Sequence, residues 1–516
     1  MKKAINYITL FLLISSVLHA EQFQQRLEKI MSRPEFRHAT FGIQFYSLES
    51  KKPLFSINAD KFFVPASTTK LITSGSALAI LGPDYRFHTK IYRTGEVKDG
   101  TLDGDLILVA SGDPNLSGRV TDQDTLLFED EDHSYGGEDS HGVGKDAVAV
   151  IRKLAKQVSD QKIKKVNGRI MVDASLFPQG DRELGTDVVI SPIVLNDNVV
   201  DVVVGPGSAE NSAAIIKVAP ETSYVRFVNR ATTAKSDSNY DLRWESDVEN
   251  SDGSRTVTLA GSVPAGKKSY MFSYAVPDPT RYAEVVLTEA LREVGISGNP
   301  RLKEDRPDFK SLASSYTPAN QIAEHISPPL TEEVKVILKV SQNLHASMMP
   351  YLFSALIAKK DPPQAGFVLI HDFLTKAGLK DDGASQADGA GGSANFTPEF
   401  MTSYLAYWSG QEQFQKFHDA LPILGKDGTL FQIQVNSPAA GHVFAKTGTY
   451  GRSDLLHQGG MVDSKALAGY MTTKSGKKIS FAIFLNHVPV GSDPNAVRDI
   501  CGQAVGEIAA AAYEFL

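Results

Sequence analysis

The chain has 516 residues, more than a single hydrophobic core usually serves, so two to four domains are expected. Apolar residues make up 42% and charged residues 22%, which excludes a collagen, a coiled coil and a wholly disordered chain. The formal net charge of −7 argues against nucleic acid as a partner.

Residues 1–20, MKKAINYITLFLLISSVLHA, predict a secretory signal peptide. Two lysines precede a short apolar run, and Ala20 is a small residue at the expected cleavage point. No later segment has 18 uninterrupted apolar residues, so we expect no stable membrane span after cleavage. The predicted location is periplasmic or secreted. The single cysteine, Cys501, cannot form an internal disulfide, and the helical apolar pattern around it predicts that it is buried.

Two strands and a helix are predicted next. Residues 39–48 and 53–57 alternate like strands joined by a polar turn. The stretch VPASTTKLITSGSAL, residues 64–78, then leads into an apolar helix. Ser67 in this stretch has two interpretations. It either caps the helix, or it is a nucleophile whose hydroxyl reaches Lys70, because residues three apart share a helix face.

From about residue 88 to residue 308, short strands separated by Gly and Pro turns dominate, with one helix expected at 282–294. Within this region, residues 129–142 are acidic, rich in glycine and poor in apolar residues, which predicts an exposed loop. His133 and His141 in this loop raise the alternative of a metal site, but they show no fixed ligand spacing. Helices return after about residue 311, and strands follow them.

Three short motifs occur in one order along the chain. Ser67-Thr-Thr-Lys70 opens a helix, Ser341-Gln342-Asn343 follows one, and Lys446-Thr447-Gly448 lies in a predicted strand. This is the order of the S-x-x-K, S-x-N and K-T-G motifs of β-lactamases and penicillin-binding proteins. Each motif alone is a weak signal, since Lys446 also suits an edge strand and Asn343 also suits a helix C-cap.

Further segments extend the resemblance over most of residues 25–490. They are GDPNL at 112–116, SPIVLNDN at 191–198, SPPL at 327–330, DGAG at 388–391, GTL at 428–430, AKTGT at 445–449 and LAGY at 467–470. With these segments the chain resembles the low-molecular-mass class C penicillin-binding proteins, the D-alanyl-D-alanine carboxypeptidase/endopeptidase family. It departs from that family at Gln342, within residues 388–393, and in the long interval 450–465.

The resemblance implies an α+β fold with a penicillin-binding/β-lactamase-like catalytic domain, in which helices flank a mostly antiparallel sheet. In this family extra domains are inserted between the first and second motifs. We therefore expect the catalytic domain at residues 21–88 and 311–516, and β-rich inserted domains at 89–310. No metal and no cofactor is implied.

The implied activity is that of a serine DD-peptidase that cleaves peptidoglycan stem peptides through an acyl-enzyme and binds penicillin covalently. Ser67 would be the nucleophile and Lys70 its base, because burial and the second cation Lys446 lower the pKa of a lysine. Ser341 would relay the proton to the departing D-alanine. The expected substrate-binding residues are Asn343, Thr447, Gly448 and Thr449. By the same resemblance, the backbone amides of Ser67 and Thr449 would form the oxyanion hole.

Two alternative functions remain open from the sequence. A β-lactamase-like hydrolase would use the same residues, but no clear E-x-x-L-N segment lies between Ser67 and Ser341 to activate a deacylating water. A non-catalytic cell-wall-binding protein would not need the complete set of motif residues. The expected partners are peptidoglycan stem peptides and β-lactam antibiotics.

The resemblance also implies an acidic pocket in the inserted domains. Such a pocket would read the free amine on the third residue of the stem peptide. The candidate carriers are the acidic residues of 129–139, Asp173 and Asp181.

Overall fold

The computed structural model describes residues 21–138, 140–361, 363–493 and 495–516. The predicted signal peptide, residues 1–20, lies outside the described residues. Within these ranges, no helix combines the length and the apolar character that crossing a membrane would require.

The chain divides into two compact units. Among the described residues, the first unit contains those up to Pro83, together with Val334–Gln342 and Phe367–Leu516. The second unit contains Asp84–Glu333 and Asn343–Gly366. This division assigns residues 311–333 and 343–366 to the second unit, whereas the predicted boundaries placed them in the catalytic domain. Two helices, Leu330–Lys339 and Gln364–Lys376, carry the chain between units.

The first unit is built on one antiparallel sheet, as predicted. The strands, in spatial order, are Lys52–Ile57, Thr40–Ser47, Lys478–Asn486, Gly459–Thr472 and Val443–Asp454, with Val488–Val490 paired to Gly459–Thr472. The other regular elements are the helices 21–31, Thr69–Ile80, Pro398–Ser409, Phe414–Asp419 and Gln503–Phe515, the short helical turns Pro34–Phe36, Ala66–Thr68, Gly428–Leu430 and Val497–Gly502, and the hairpin Ala384–Gln386 with Ala394–Phe396.

Helices cover the sheet of the first unit. Phe23 and Leu27 from the N-terminal helix and Ile508 from the C-terminal helix share a core with Phe45 and Phe481 of the central strands. Cys501 is fully buried in the same core, as predicted. The central strands Thr40–Ser47 and Lys478–Asn486 are buried along nearly their whole length and are largely apolar, whereas the edge strand Lys52–Ile57 is mostly exposed.

The second unit contains three sheets and four α-helices among the described residues. Its seven-stranded sheet contains Gln321–Ile326, His88–Arg93, Leu106–Val109, Lys165–Asp173, Thr101–Asp103, Glu96–Lys98 and Ser297–Asn299. Two four-stranded sheets contain Val225–Asn229, Arg255–Pro264, Thr232–Ala234 and Asp241–Glu249, and Tyr270–Met271, Val199–Gly205, Tyr274–Ala275 and Ile215–Ala219. The helices are Ala149–Asp160, Pro279–Glu293, Phe309–Leu312 and Asn343–Phe353, with short turns at His133–Tyr135, Asn196–Asn198, Ala313–Ser315 and Ser354–Ala358.

The secondary structure adds to the sequence interpretation at two places. The helix Ala149–Asp160 was not predicted, although Ile151, Leu154 and Val158 are buried at helical spacing. The long interval 450–465, where the sequence departs from the family, is mostly strand, because the two strands that flank it continue through it as an extended hairpin. Only residues 455–458 lie between the two strands.

Candidate active site

Ser67 lies in the short 3-10 turn Ala66–Thr68, which leads into the helix Thr69–Ile80. It is partly exposed, and its Oγ lies 2.8 Å from Lys70 Nζ. One helical turn separates the two residues, so their contact follows from local geometry. The structure therefore favours the nucleophile interpretation of Ser67 over the capping interpretation.

Lys70 is fully buried and contacts both serines of the motifs. Its Nζ lies 3.0 Å from Ser341 Oγ and 2.8 Å from the Ser341 carbonyl oxygen, in addition to Ser67. A protonated amine would donate to all three oxygens, whereas a neutral amine has a lone pair to accept the Ser67 proton. The amine is thus placed to move a proton between the two hydroxyls.

The backbone of Ser341 explains how one residue offers two oxygens to Lys70. Ser341 has φ +69°, a left-handed conformation that is uncommon for residues other than glycine. It lies just beyond the helix Leu330–Lys339, where the chain changes direction. Strained backbone of this kind persists where the surrounding structure imposes it, often at functional sites.

Lys446 supplies the second cation that the sequence predicted. It lies in the strand Val443–Asp454, is fully buried, and donates to the Thr447 carbonyl oxygen at 2.9 Å. Burial, together with the nearby charges of Lys70 and Lys465, holds its pKa well below the ordinary value for lysine. Lys70 and Lys446 each disfavour a positive charge on the other.

Gly448 brings this strand close to Ser67. A Cβ at this position would lie 2.4 Å from the Pro65 carbonyl oxygen and 3.2 Å from the Ser67 amide nitrogen. Only glycine permits that approach. Gly448 is also an expected substrate-binding residue, and this close backbone approach is a separate reason for a glycine at the position.

The two threonines that flank Gly448 have hydroxyl partners from different elements. Thr447 Oγ1 lies 2.7 Å from Thr429 Oγ1, so the GTL segment supports the strand from one side. Thr449 is exposed, and its Oγ1 lies 2.7 Å from Lys465 Nζ on the neighbouring strand. Both hydroxyls therefore have defined orientations.

The DGAG segment supports the turn that carries Ser67. Gly391 has φ +103°, and a Cβ there would lie 2.0 Å from the Ala66 carbonyl oxygen. Asp388 accepts hydrogen bonds from the amides of residues 390–393, which closes the loop. Thr73 on the nucleophile helix donates to the Gly389 carbonyl oxygen at 2.7 Å. The loop thus packs against the turn that carries Ser67.

Asn343, the remaining motif residue, belongs to the second unit. It is the first residue of the helix Asn343–Phe353 and is buried. Its Nδ2 donates to Glu183 Oε1 at 2.8 Å. Because Glu183 also accepts from Gly185 and Thr186, this carboxylate orients the Asn343 amide.

The described residues of the segment 129–142 form a loop, as predicted, but the centre of that loop is buried rather than exposed. His133 is fully buried, with Nδ1 2.7 Å from Asp201 and Nε2 2.9 Å from Asp197. Asp132, before it, is also buried. The acidic composition suggested solvation, but the partners that fold this segment inward lie more than 60 residues away in the chain.

Asp197 is the centre of this buried ion network. It accepts from Arg119 at 2.6 Å, and from His345 Nε2 at 2.9 Å in addition to His133. Burial alone would lower the pKa of both histidines, but the surrounding carboxylates outweigh it and raise the pKa of His133 to about 10 and that of His345 to about 9. Asp197 and its two neighbours, Asn196 and Asn198, all have left-handed φ angles.

Asp132, His133 and Asp197 are close enough to be considered as metal ligands. The donor set does not suit a metal, because both ring nitrogens of His133 donate to carboxylates and Asp197 already pairs with Arg119. A metal ligand must present a neutral imidazole nitrogen. We therefore interpret this cluster as an ion network. His345 belongs to this network through Asp197 and Glu333.

The two other acidic candidates differ in exposure. Asp173 is buried and accepts from the Tyr316 hydroxyl at 2.8 Å. Asp181 is exposed, and one of its oxygens accepts from the Tyr351 hydroxyl. An exposed carboxylate with an oxygen to spare is the better candidate for an amine contact.

Sequence reasoning missed Glu183, Asp197 and Lys465. No motif contains Glu183 or Lys465, and their partners Asn343 and Thr449 are distant in sequence. Asp197 does lie within SPIVLNDN, and an Asn-Asp-Asn run is a signal for left-handed backbone.

Comparisons with known proteins agree on one group of enzymes. The model of the family described as D-Ala-D-Ala carboxypeptidase 3 (S13) matches residues 23–508. The chain is 27% identical over 451 residues to the D-alanyl-D-alanine carboxypeptidase DacB of Haemophilus influenzae, covering 84% of this chain and 82% of that protein. It is 25% identical over 516 residues to the D-alanyl-D-alanine carboxypeptidase of Actinomadura sp. strain R39, covering 95% and 85%.

The fold is similar to that of a solved penicillin-binding protein. The crystal structure of penicillin binding protein 4 (dacB) from Haemophilus influenzae superposes with a TM-score of 0.71 and 22% identity, covering 95% of this chain and 99% of that one. A complex of the same protein with a novel β-lactam superposes with a TM-score of 0.69. These matches confirm the predicted fold.

Proposed function

The chain belongs to the D-Ala-D-Ala carboxypeptidase 3 (S13) family, and we infer that its three motifs carry the catalytic activity. It is a serine DD-peptidase, and we propose that Ser67 is its nucleophile and Lys70 its acylation base. The observation that carries this assignment is the position of Lys70 Nζ, within 3.0 Å of both Ser67 Oγ and Ser341 Oγ.

The proposed reaction has two steps. Lys70 takes the Ser67 proton while Oγ attacks the carbonyl of the penultimate D-alanine, and Ser341 passes a proton to the departing amine. The backbone amides of Ser67 and Thr449 receive the oxyanion. A water then cleaves the ester, releases the shortened peptide and restores Ser67.

The same residues support the proposed ligands. Thr447 and Thr449 suit the terminal carboxylate of a stem peptide and, equally, the carboxylate of penicillin. Asn343 stays a proposed contact of the substrate peptide, on the strength of the S-x-N motif. Peptidoglycan stem peptides and β-lactams are therefore the proposed partners. A periplasmic or secreted location follows from that substrate and from the predicted signal peptide.

The test is covalent labelling combined with turnover. We expect penicillin to add once to the protein, on the peptide that contains Ser67, and we expect D-alanine to be released from a D-Ala-D-Ala peptide. Ser67→Ala should lose both. Ser74→Ala, in the helix Thr69–Ile80 that follows Ser67, is the matched control and should keep the penicillin adduct and the release of D-alanine. An adduct on another peptide, or one that persists in Ser67→Ala, would contradict the assignment.

A further inference from the structure

Lys465 contacts the active-site strand outside any of the three motifs. It lies on the strand Gly459–Thr472, directly opposite Thr449 in the antiparallel register. Its Nζ lies 2.7 Å from Thr449 Oγ1. Thr449 directly follows the Lys446-Thr447-Gly448 motif, so Lys465 lies beside the part of the strand that is proposed to hold the substrate's terminal carboxylate.

The direction of this hydrogen bond fixes the Thr449 hydroxyl. An ammonium group only donates, so Thr449 Oγ1 accepts from Lys465 and its own proton must point to a different acceptor. Among the residues that the structure describes, Thr449 Oγ1 donates to none. The exposed hydroxyl is therefore held as a donor toward solvent or a ligand, and a carboxylate is the strongest ordinary acceptor for it.

The charge on Lys465 is also unbalanced. Asp463, two residues earlier, pairs with Arg452 at 3.1 Å, and no described carboxylate lies within 4 Å of Lys465 Nζ. Burial lowers the pKa of Lys465 to about 8, which still leaves the ammonium form in the majority at neutral pH. Its charge acts on Lys446 as well. The Lys465 ammonium group beside an outward-pointing donor forms a local environment that favours an anion.

We propose that Lys465 determines specificity for substrates with a free terminal carboxylate, by acting through the Thr449 hydroxyl. The ammonium group polarises and orients that hydroxyl and adds positive charge beside the bound carboxylate. The inference rests on the proposed function, in which Thr447 and Thr449 meet the carboxylate of the terminal D-alanine.

The experiment compares two forms of each ligand. One pair is a D-Ala-D-Ala peptide with a free carboxylate and the same peptide as its C-terminal amide. The other pair is benzylpenicillin and its methyl ester. Lys465→Met removes the charge but keeps the length of the side chain, Lys465→Arg keeps the charge, and Lys478→Met is the matched control at an exposed lysine of the next strand. kcat/KM is measured for the peptides and the acylation rate constant for the β-lactams.

We expect Lys465→Met to lower the rate with the free carboxylate about tenfold to a hundredfold, the usual scale for one hydrogen bond to a charged group. The amide and the methyl ester should change little, so the preference for a free carboxylate collapses. Lys465→Arg should restore most of that preference, and Lys478→Met should keep all of it. In a Thr449→Val background, Lys465→Met should change the preference much less, because only the direct contribution of the ammonium charge is left to lose.

An unchanged preference in Lys465→Met would overturn the inference, and so would an equal loss on free and blocked ligands. If Lys465→Met does not fold, Lys465→Gln answers the same question. The proposed function is judged separately, by whether the wild-type protein forms the Ser67 adduct and releases D-alanine. A protein that does both but shows no effect of Lys465 refutes only this inference.

Discussion

The two units both bury cations, but they surround them differently. In the second unit, Arg119 lies against Asp197, which also binds two buried histidines. In the first unit, buried Lys446 has Lys70 and Lys465 as its charged neighbours. A cation paired with carboxylates keeps its proton and stabilises one geometry. A cation crowded by other cations holds its proton weakly, which is what proton transfer requires.

The largest expected effect tests the proposed proton transfer by Lys70 in the first unit. Lys70→Ala should slow acylation by penicillin about 10²–10⁴-fold, the usual scale for a lost proton-transfer group. Ser341→Ala should mainly reduce peptide turnover, because a strained β-lactam ring keeps its leaving group attached. Stopped-flow acylation and D-alanine release measure the two effects. Acylation at the wild-type rate in Lys70→Ala would mean that a different base is at work.

The next largest effect concerns the buried ion network around Asp197 in the second unit. Asp197→Ala should destabilise the second unit by about 3–5 kcal/mol, because it leaves buried cations without their carboxylate. Asp187→Ala, which removes an exposed ion pair with Arg182 in the same unit, is the control and should cost far less. Urea unfolding followed by hydrogen exchange in each unit is the measurement. Equal losses in the two variants would show that the network adds little.

The dependence of stability on pH should have opposite signs in the two units. The folded second unit keeps the protons of His133 and His345 up to pH 10 and 9, whereas unfolded histidine loses its proton near 6.5. This contribution is complete below about pH 6.5 and is lost as pH rises through the folded pKa values. Lys465 in the first unit releases its proton near pH 8 instead of 10.5, so its contribution grows with pH between these values.

Single variants can isolate these contributions. The stability difference between wild type and His345→Asn, measured by urea unfolding, should shrink by about 1–3 kcal/mol as pH rises from 6 to 10. The corresponding difference for Lys465→Met should move in favour of the wild type from pH 8 to 10.5. If the two stability differences changed with pH in the same direction, the expected contrast between the units would be wrong.

The smallest expected effect asks whether the second unit also reads substrate. Acetylation of the side-chain amine on the stem peptide's third residue should lower kcat/KM about tenfold, the scale of one charge-assisted contact. Asp181→Asn should abolish this penalty, whereas Asp187→Asn should leave it intact. If acetylation costs nothing in the wild type, no amine pocket exists. If the penalty persists in Asp181→Asn, the pocket uses other residues.

Short-range sequence patterns predicted the contact between Ser67 and Lys70. Ser67 and Lys70 meet because three residues make nearly one helical turn, and the S-x-x-K pattern carries that geometry. The antiparallel sheet and the strand at Lys446 followed from apolar alternation and from family resemblance. The assignment of catalytic roles to these residues remains a prediction, which the labelling experiment addresses.

Long-range pairing accounts for what the sequence did not reveal. Acidic residues 129–142 look solvated until Asp197 and Asp201 are known to lie beside His133. Thr449 and Lys465 become neighbours only through the register of the extended hairpin that occupies the long interval 450–465. Backbone contact at Gly448 is equally invisible, since Pro65 is nearly 400 residues earlier in the chain.

The order of the segments in the first unit sets when the proposed nucleophile Ser67 acquires its neighbours during synthesis. Lys70 and Ser341 are 271 residues apart, and the early strand Thr40–Ser47 pairs with Lys478–Asn486 near the end of the chain. Contacts of such high sequence separation form late, because the entropy of closing the loop is lost before they add stability. The second unit consists largely of one continuous segment, Asp84–Glu333. A growing or truncated chain therefore carries Ser67 without Lys446 beside it, and we expect the proposed catalytic site to be complete only after nearly the whole polypeptide has been made.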